Sequence, residues 1–209
     1  MTDNASSNDL AFLRSVAEKG AGAPLLGGRF LIFWGSLVAF AYVLHYLILV
    51  GRTPFGPEAL GFLWAGFGLL GGAGSFWLGR GIRAKPGTGS AGNRVEAAVW
   101  RAVGFGILFY VGGAVAAILL GRVGTVLMDT IAPVALVLYG VAFAATGAAA
   151  QIAWFRWVTI LSFVCAGVAL TLIGEPALYL FGTAAVLAVG IVPGLVLITR
   201  EPPALSDEA

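Results

Sequence analysis

Apolar residues along this chain collect into six long runs, separated by short polar or glycine-rich stretches. The runs are Phe30–Val50, Leu60–Leu78, Val99–Leu120, Thr130–Ala150, Trp154–Ile173 and Ala177–Thr199. A helix needs about 20 apolar residues to cross the ~30 Å hydrocarbon layer of a bilayer, and each run comes close to or exceeds that length. None holds Asp, Glu or Lys, and the two arginines inside them, Arg101 and Arg156, lie near run ends where long side chains reach the interface. The runs do not alternate apolar with polar residues, as the strands of a membrane β-barrel would. The pattern predicts an all-α polytopic membrane protein with six transmembrane helices.

The spans divide the chain into an N-terminal segment over residues 1–29, a transmembrane domain over 30–199 and a short tail over 200–209. Within the first segment, Asp9–Lys19 places Leu10, Leu13 and Val16 on one face. This predicts a short amphipathic helix lying in the interface, with docking to a soluble partner as the alternative. Asp3, Asp9 and Glu18, together with the length of the first apolar run, argue against a cleavable signal peptide. The tail is polar, contains Pro202 and Pro203, and is expected to be disordered.

Composition agrees with the runs. Of the 209 residues, 59% are hydrophobic and 11% charged, whereas a soluble domain carries about a quarter charged residues. The charges also carry direction. Of the 12 Lys and Arg, only Arg52 and Arg122 flank the spans on one side. The others (Arg14, Lys19, Arg29, Arg80, Arg83, Lys85, Arg94, Arg101, Arg156 and Arg200) fall on the opposite side. Such an excess marks the cytoplasmic face, so both termini are expected there. Trp34, Trp77, Trp100, Trp154 and Trp157 lie near the same ends, and Trp64 towards the other. No helix carries a basic stripe, so no nucleic-acid partner is expected.

The loop Gly87-Thr88-Gly89-Ser90-Ala91-Gly92 spells the G-x-G-x-x-G of dinucleotide-binding turns. That fingerprint works between a strand and a helix, and here a transmembrane run precedes it. It therefore predicts a flexible connection that ends where the third helix begins, with Asn93 as N-cap and Glu96 three residues on. The second run carries a stripe of small residues: Gly61, Ala65, Gly68, Gly72, Ser75 and Gly79. Small faces let helices approach closely in lipid. The stripe predicts that the second helix lies at the centre of the bundle with this face packed, a pore-lining face being the alternative. The third run has a shorter version in Ala102, Gly106, Gly113 and Ala117.

The helices pair naturally into three hairpins, and each returning helix starts near an acid: Glu58, Asp129 and Glu175. Carboxylates there complement the helix dipole, and a cation-attracting ring is the functional alternative. His45, the single histidine, has no metal-ligand partners at suitable spacing and reads as an interfacial residue beside Tyr42 and Tyr46. Pro193 removes a hydrogen bond in the sixth run and should kink or loosen it; as part of a Pro-Gly pair it is also a candidate hinge. Cys165 reads as a core residue. No catalytic constellation is present in the sequence, and neither an enzyme nor a cofactor is expected.

At GGRFLIFWG, AAVWRAVGFGI and IVPGLVLITR the chain resembles small six-span bacterial inner-membrane proteins of unknown function. The resemblance implies the architecture and a multi-pass place in the bacterial inner membrane. It implies no activity and no site residue. Two functional classes follow from the residues. One is a non-enzymatic membrane component acting through helix association, its partners being lipid and either another membrane protein or a second copy. The other is a small transporter or channel for an apolar or weakly polar solute, using Thr146, Ser162, Thr183 and the Pro193 kink. A closed bundle with an exposed small-residue face favours the first, and a polar midplane cavity the second.

Overall fold

The computed structural model describes residues 23–83 and 85–201. The amphipathic helix expected at Asp9–Lys19 and the tail from residue 202 onwards lie outside them. Among the described residues every regular element is helical. Helix α1 spans Gly28–Leu49, α2 Ala59–Arg83 and α3 Ala91–Leu119; a 3-10 turn over Thr125–Thr130 leads into α4, Ile131–Ala149. Helix α5 spans Phe155–Leu170, and α6 runs over Ala177–Ile198 with a π-helical turn at Leu187–Ile191. Five of these helices are long and apolar enough to cross a membrane. The exception is α5, whose 16 residues reach only about 24 Å at 1.5 Å per residue.

The helix ends follow local chemistry. Helices α1, α3 and α5 are followed by Gly51, Gly121 and Gly174, all in the left-handed region that glycine enters without a Cβ penalty. After α1 and α3, the Arg52 and Arg122 amides donate back to Leu47 and Ala117 oxygens and close the last turn. Helix α3 corrects one expectation. It starts at Ala91, and its N-cap is Ser90, whose Oγ accepts from the Asn93 amide at 3.2 Å. Asn93 and Glu96 lie further inside the helix and are used elsewhere. Asn93 Oδ1 accepts from the Leu26 amide at 2.9 Å, and Glu96 Oε2 from the Gly27 amide at 3.0 Å. Helix α1 has no side-chain cap of its own, so its entry is capped by α3.

The core is built from α1, α4, α5 and α6, through residues such as Tyr42, Leu136, Phe143, Phe155, Leu178 and Val189. Helix α1 packs along α6 and α2, and α4 packs along α5 and α3. At the α1–α6 seam the two backbones come close. A Cβ added at Gly28 would lie 2.8 Å from the Gly194 carbonyl oxygen, and one at Gly194 would lie 2.9 Å from the Gly28 oxygen. Gly35 meets Ile191, and Gly182 receives the Tyr42 ring. Pro193 is fully buried in α6. The loosening expected near it takes the form of the π turn, where the Val192 amide donates to the Leu187 oxygen five residues back.

The expected central place of α2 is not observed. Only 6% of its apolar window is buried, against 44% for α1 and for α6, so α2 is peripheral. Around Gly61, Gly68, Gly72 and Gly79 there is open space, and Ala65 is exposed. The glycines that pack are Gly71 and Gly74, which face the Trp34 and Phe33 rings of α1. Ser75, at the edge of the predicted stripe, accepts from Trp34 Nε1 at 3.0 Å. The reason is geometric. Small residues occupy two faces of α2, and the notch that receives aromatic rings from α1 turns the regular stripe outward.

This arrangement predicts opposite effects for two glycine changes. Gly194→Leu should destabilise the protein by about 1–3 kcal/mol through overpacking against a backbone. Gly68→Leu should leave the isolated chain's stability within about 0.5 kcal/mol of the parent. Thermal unfolding of both variants in mild detergent checks the pair; equal melting temperatures would contradict the seam.

Candidate functional site

An aromatic and polar constellation between helices lies at the end of the bundle where α1 and α3 finish. Tyr42 and His45, three residues apart on α1, point to one side and are both buried. Trp64 of α2 donates from Nε1 to His45 Nδ1 at 3.0 Å. An indole N–H can only donate, so Nδ1 is the unprotonated nitrogen and Nε2 carries the hydrogen. The Tyr179 ring of α6 stacks on His45 at 3.7 Å between centroids, and Tyr42 meets both Trp64 and Tyr179 edge-on at 5.7 Å. Offset and edge contacts of this kind suit the ring quadrupoles.

Tyr179 connects the aromatic group to a carboxyl. Its hydroxyl donates to Asp129 Oδ1 at 2.5 Å, and Asp129 Oδ2 accepts from the Gly174 amide at 3.0 Å. Gly174 sits at φ 86°, a conformation that turns its N–H towards the 3-10 segment. Beside Asp129, Thr130 Oγ1 lies 2.7 Å from the Tyr110 hydroxyl of α3. A chain of contacts thus joins α1, α2, α6, the segment before α4 and the α5–α6 connection.

The predicted polar positions separate here. His45 and Asp129 are brought into one cluster, bridged by Tyr179. Glu58 and Glu175 are exposed on the connections before α2 and α6. Pro193 belongs to the α1–α6 seam. Asp129 does more than face a helix dipole, since it ties Gly174 and Tyr179 together. Reading along the sequence missed Trp64 and Tyr179. The one signal was that Trp64 is the single tryptophan lying away from the basic ends.

A second set of polar contacts lies at the basic end. Glu201 Oε2 pairs with Lys85 at 2.6 Å and Arg29 at 3.0 Å. Asn93 Nδ2 donates to the oxygens of Pro24 and Gly87 at 2.9 and 3.0 Å. The G-x-G-x-x-G segment is the turn between α2 and α3. Thr88 Oγ1 donates to the Lys85 oxygen at 2.5 Å, and Ser90 caps α3. Of the mid-span polar groups, Ser162 donates to the Leu136 oxygen and Thr183 to the Tyr179 oxygen, while Thr146 is fully buried. Among the described residues no group of three or more His, Cys, Asp and Glu could hold a metal ion. The His45 cluster offers one imidazole and one carboxyl, and its arrangement serves to clamp helix ends. No family model, no curated protein and no solved structure matches the chain.

Two changes to phenylalanine probe the clamp. Tyr179→Phe removes the donor to Asp129, and Trp64→Phe removes the donor to His45. Each should cost about 0.5–3 kcal/mol, the larger loss falling on the bond to the carboxyl. Thermal unfolding measures this, and parent-like melting of both variants would show that the clamp does not hold the helix ends.

Proposed function

We propose that the chain is a six-span membrane protein that works by helix–helix association, taking a transmembrane helix of a partner against the small-residue face of α2. The supporting observation is that Gly61, Ala65, Gly68 and Gly72 lie open along α2, although the four-helix core beside it is filled. In lipid, a smooth face of this kind gains van der Waals contact only when another backbone approaches it. Exposed aromatic residues border the stripe on one side, Phe62 and Phe76 at 82% and 65%, so an incoming helix would meet a smooth face edged by large side chains. The partner is another membrane protein or a second copy. Transport of an apolar or weakly polar solute has less support, because Ser162 and Thr183 spend their hydroxyls on backbone carbonyls.

The proposal includes α5 as the fifth of six spans, its length completed by the turns around it, with the helices inserted as three hairpins. It places the protein in the bacterial inner membrane, in line with the resemblance above. Both termini are cytoplasmic, on the side that carries ten of the twelve basic residues. Reporter fusions after Arg52 and after Ala209 test the orientation. The first should report the periplasm and the second the cytoplasm, and the reverse result overturns it.

Association is tested by cysteine cross-linking in membranes, with Gly68→Cys and Gly72→Cys on the face and Leu70→Cys on the far side of the same helix. The first two should give a discrete cross-linked species and the third none. Equal cross-linking at all three positions, or none at any, overturns the reading.

A further inference from the structure

An open cavity of about 550 Å³ lies at the basic end of the α4–α5 pair, and nothing described so far uses it. Its floor is Phe143 and Phe155, each 1% exposed and in edge contact at 5.1 Å. Small residues of α4, Ala144 and Ala148, keep its wall low, and Gly147 is pinned against Phe155. Arg156, Gln151 and Thr159 supply its polar groups.

These three side chains are held in different ways. Arg156 is exposed and rests over the Trp157 ring at 5.1 Å. Among the described residues, the ion pairs join Glu201 to Arg29 and Lys85, which leaves the Arg156 guanidinium without a carboxylate. Thr159, three residues further along α5, has its Oγ1 shielded from solvent and without a hydrogen-bond partner. Gln151 is the one described non-glycine residue at left-handed φ, 54°, at the end of α4. The corresponding ends of α1, α3 and α5 use glycine. A polar side chain is thus kept at the cavity rim where the backbone favours none.

We infer that this cavity binds a membrane phospholipid with a net negative headgroup. Arg156 and Gln151, both exposed at the mouth, donate to the phosphate oxygens. One acyl chain lies along Ala144, Ala148 and Ile160, the exposed apolar residues of the cavity. The shape and polarity fit this ligand: a cation that favours forked contact with phosphate sits at the mouth, and the walls beyond it are apolar. A soluble phosphate would satisfy the mouth and leave the exposed Ala144, Ala148 and Ile160 uncovered. The volume falls within the range of small-ligand sites, roughly 300–1,000 Å³. Trp154 and Trp157 flank the site, as side chains at the headgroup level do. The inference stands whether or not α2 takes a partner.

The test is native mass spectrometry of the purified full chain in mild detergent. The probes are phosphatidylglycerol, phosphatidylcholine with the same chains, and inorganic phosphate. Phosphatidylglycerol should bind about tenfold more tightly than phosphatidylcholine, and Arg156→Gln should remove that preference. Arg101→Gln, an exposed arginine at the same end, should keep it. Gln151→Gly should weaken phosphatidylglycerol binding while melting at the same temperature as the parent or higher. Equal affinity for the two lipids, or equal effects of the two arginine changes, overturns the inference. Displacement of the lipid by an equal concentration of phosphate would assign the site to a soluble anion and overturn it as well.

Discussion

The near contact between the backbones of α1 and α6 is the constraint on which one half of the bundle is built. In lipid there is no water to squeeze out between helices, so association rests on how closely atoms pack. Gly28 and Gly194 bring carbonyl oxygens to within van der Waals reach of the facing helix, a distance that any side chain would forbid. The π turn at Leu187–Ile191 adds one residue to α6 just before Pro193, so the proline falls where the helix has already loosened. From this seam the bundle grows in two directions. Helix α2 hangs on α1 through aromatic rings set into glycine notches. Helix α6 meets α5, which leads to α4 and then α3.

Polar fasteners complete what packing begins, and most of them sit at the two ends of the bundle, the Ser162 bond to the Leu136 oxygen lying in its middle. At one end Asp129, Tyr179, His45 and Trp64 tie four elements. At the other, Asn93 and Glu96 hold the entry of α1, and Glu201 joins Arg29 to Lys85. Backbone amides at a helix start have no partner within the helix, and burial makes their satisfaction costly to omit. Helix α1 begins among the buried Leu25 and Leu26, where water does not serve, so side chains from a distant helix do.

Much of the architecture was legible because apolar run length is a property of each segment alone. Every run became a helix, and most boundaries moved by only one or two residues. Helix α3 starts eight residues before its apolar run, and its N-cap lies three residues before the Asn93 expected, because the polar turn after Ser90 is helical in spite of Arg94 and Glu96. Pairings were not legible in the same way. Gly68 and Gly72 looked like a packing face, and Gly71 and Gly74 did not, because the regular stripe hid a notch that only the rings of α1 define. His45 looked isolated because its partners, Trp64 and Tyr179, lie 19 and 134 positions away and are ordinary membrane aromatics by type. The polar rim at Gln151 was invisible, since only the backbone angle distinguishes it.

The distant capping of α1 has a consequence for how the chain is made. At synthesis rates of about 5–20 residues per second, Asn93 follows Leu26 only after several seconds, and Gly194 follows Gly28 after roughly ten to thirty. During that interval the first helix lacks the side chains that hold its Leu26 and Gly27 amides and the helix that fills its glycine face. It is then open to any helix nearby. The finished molecule is reached only when its last span arrives, so a ribosome that stalls late leaves a chain with its seam half made.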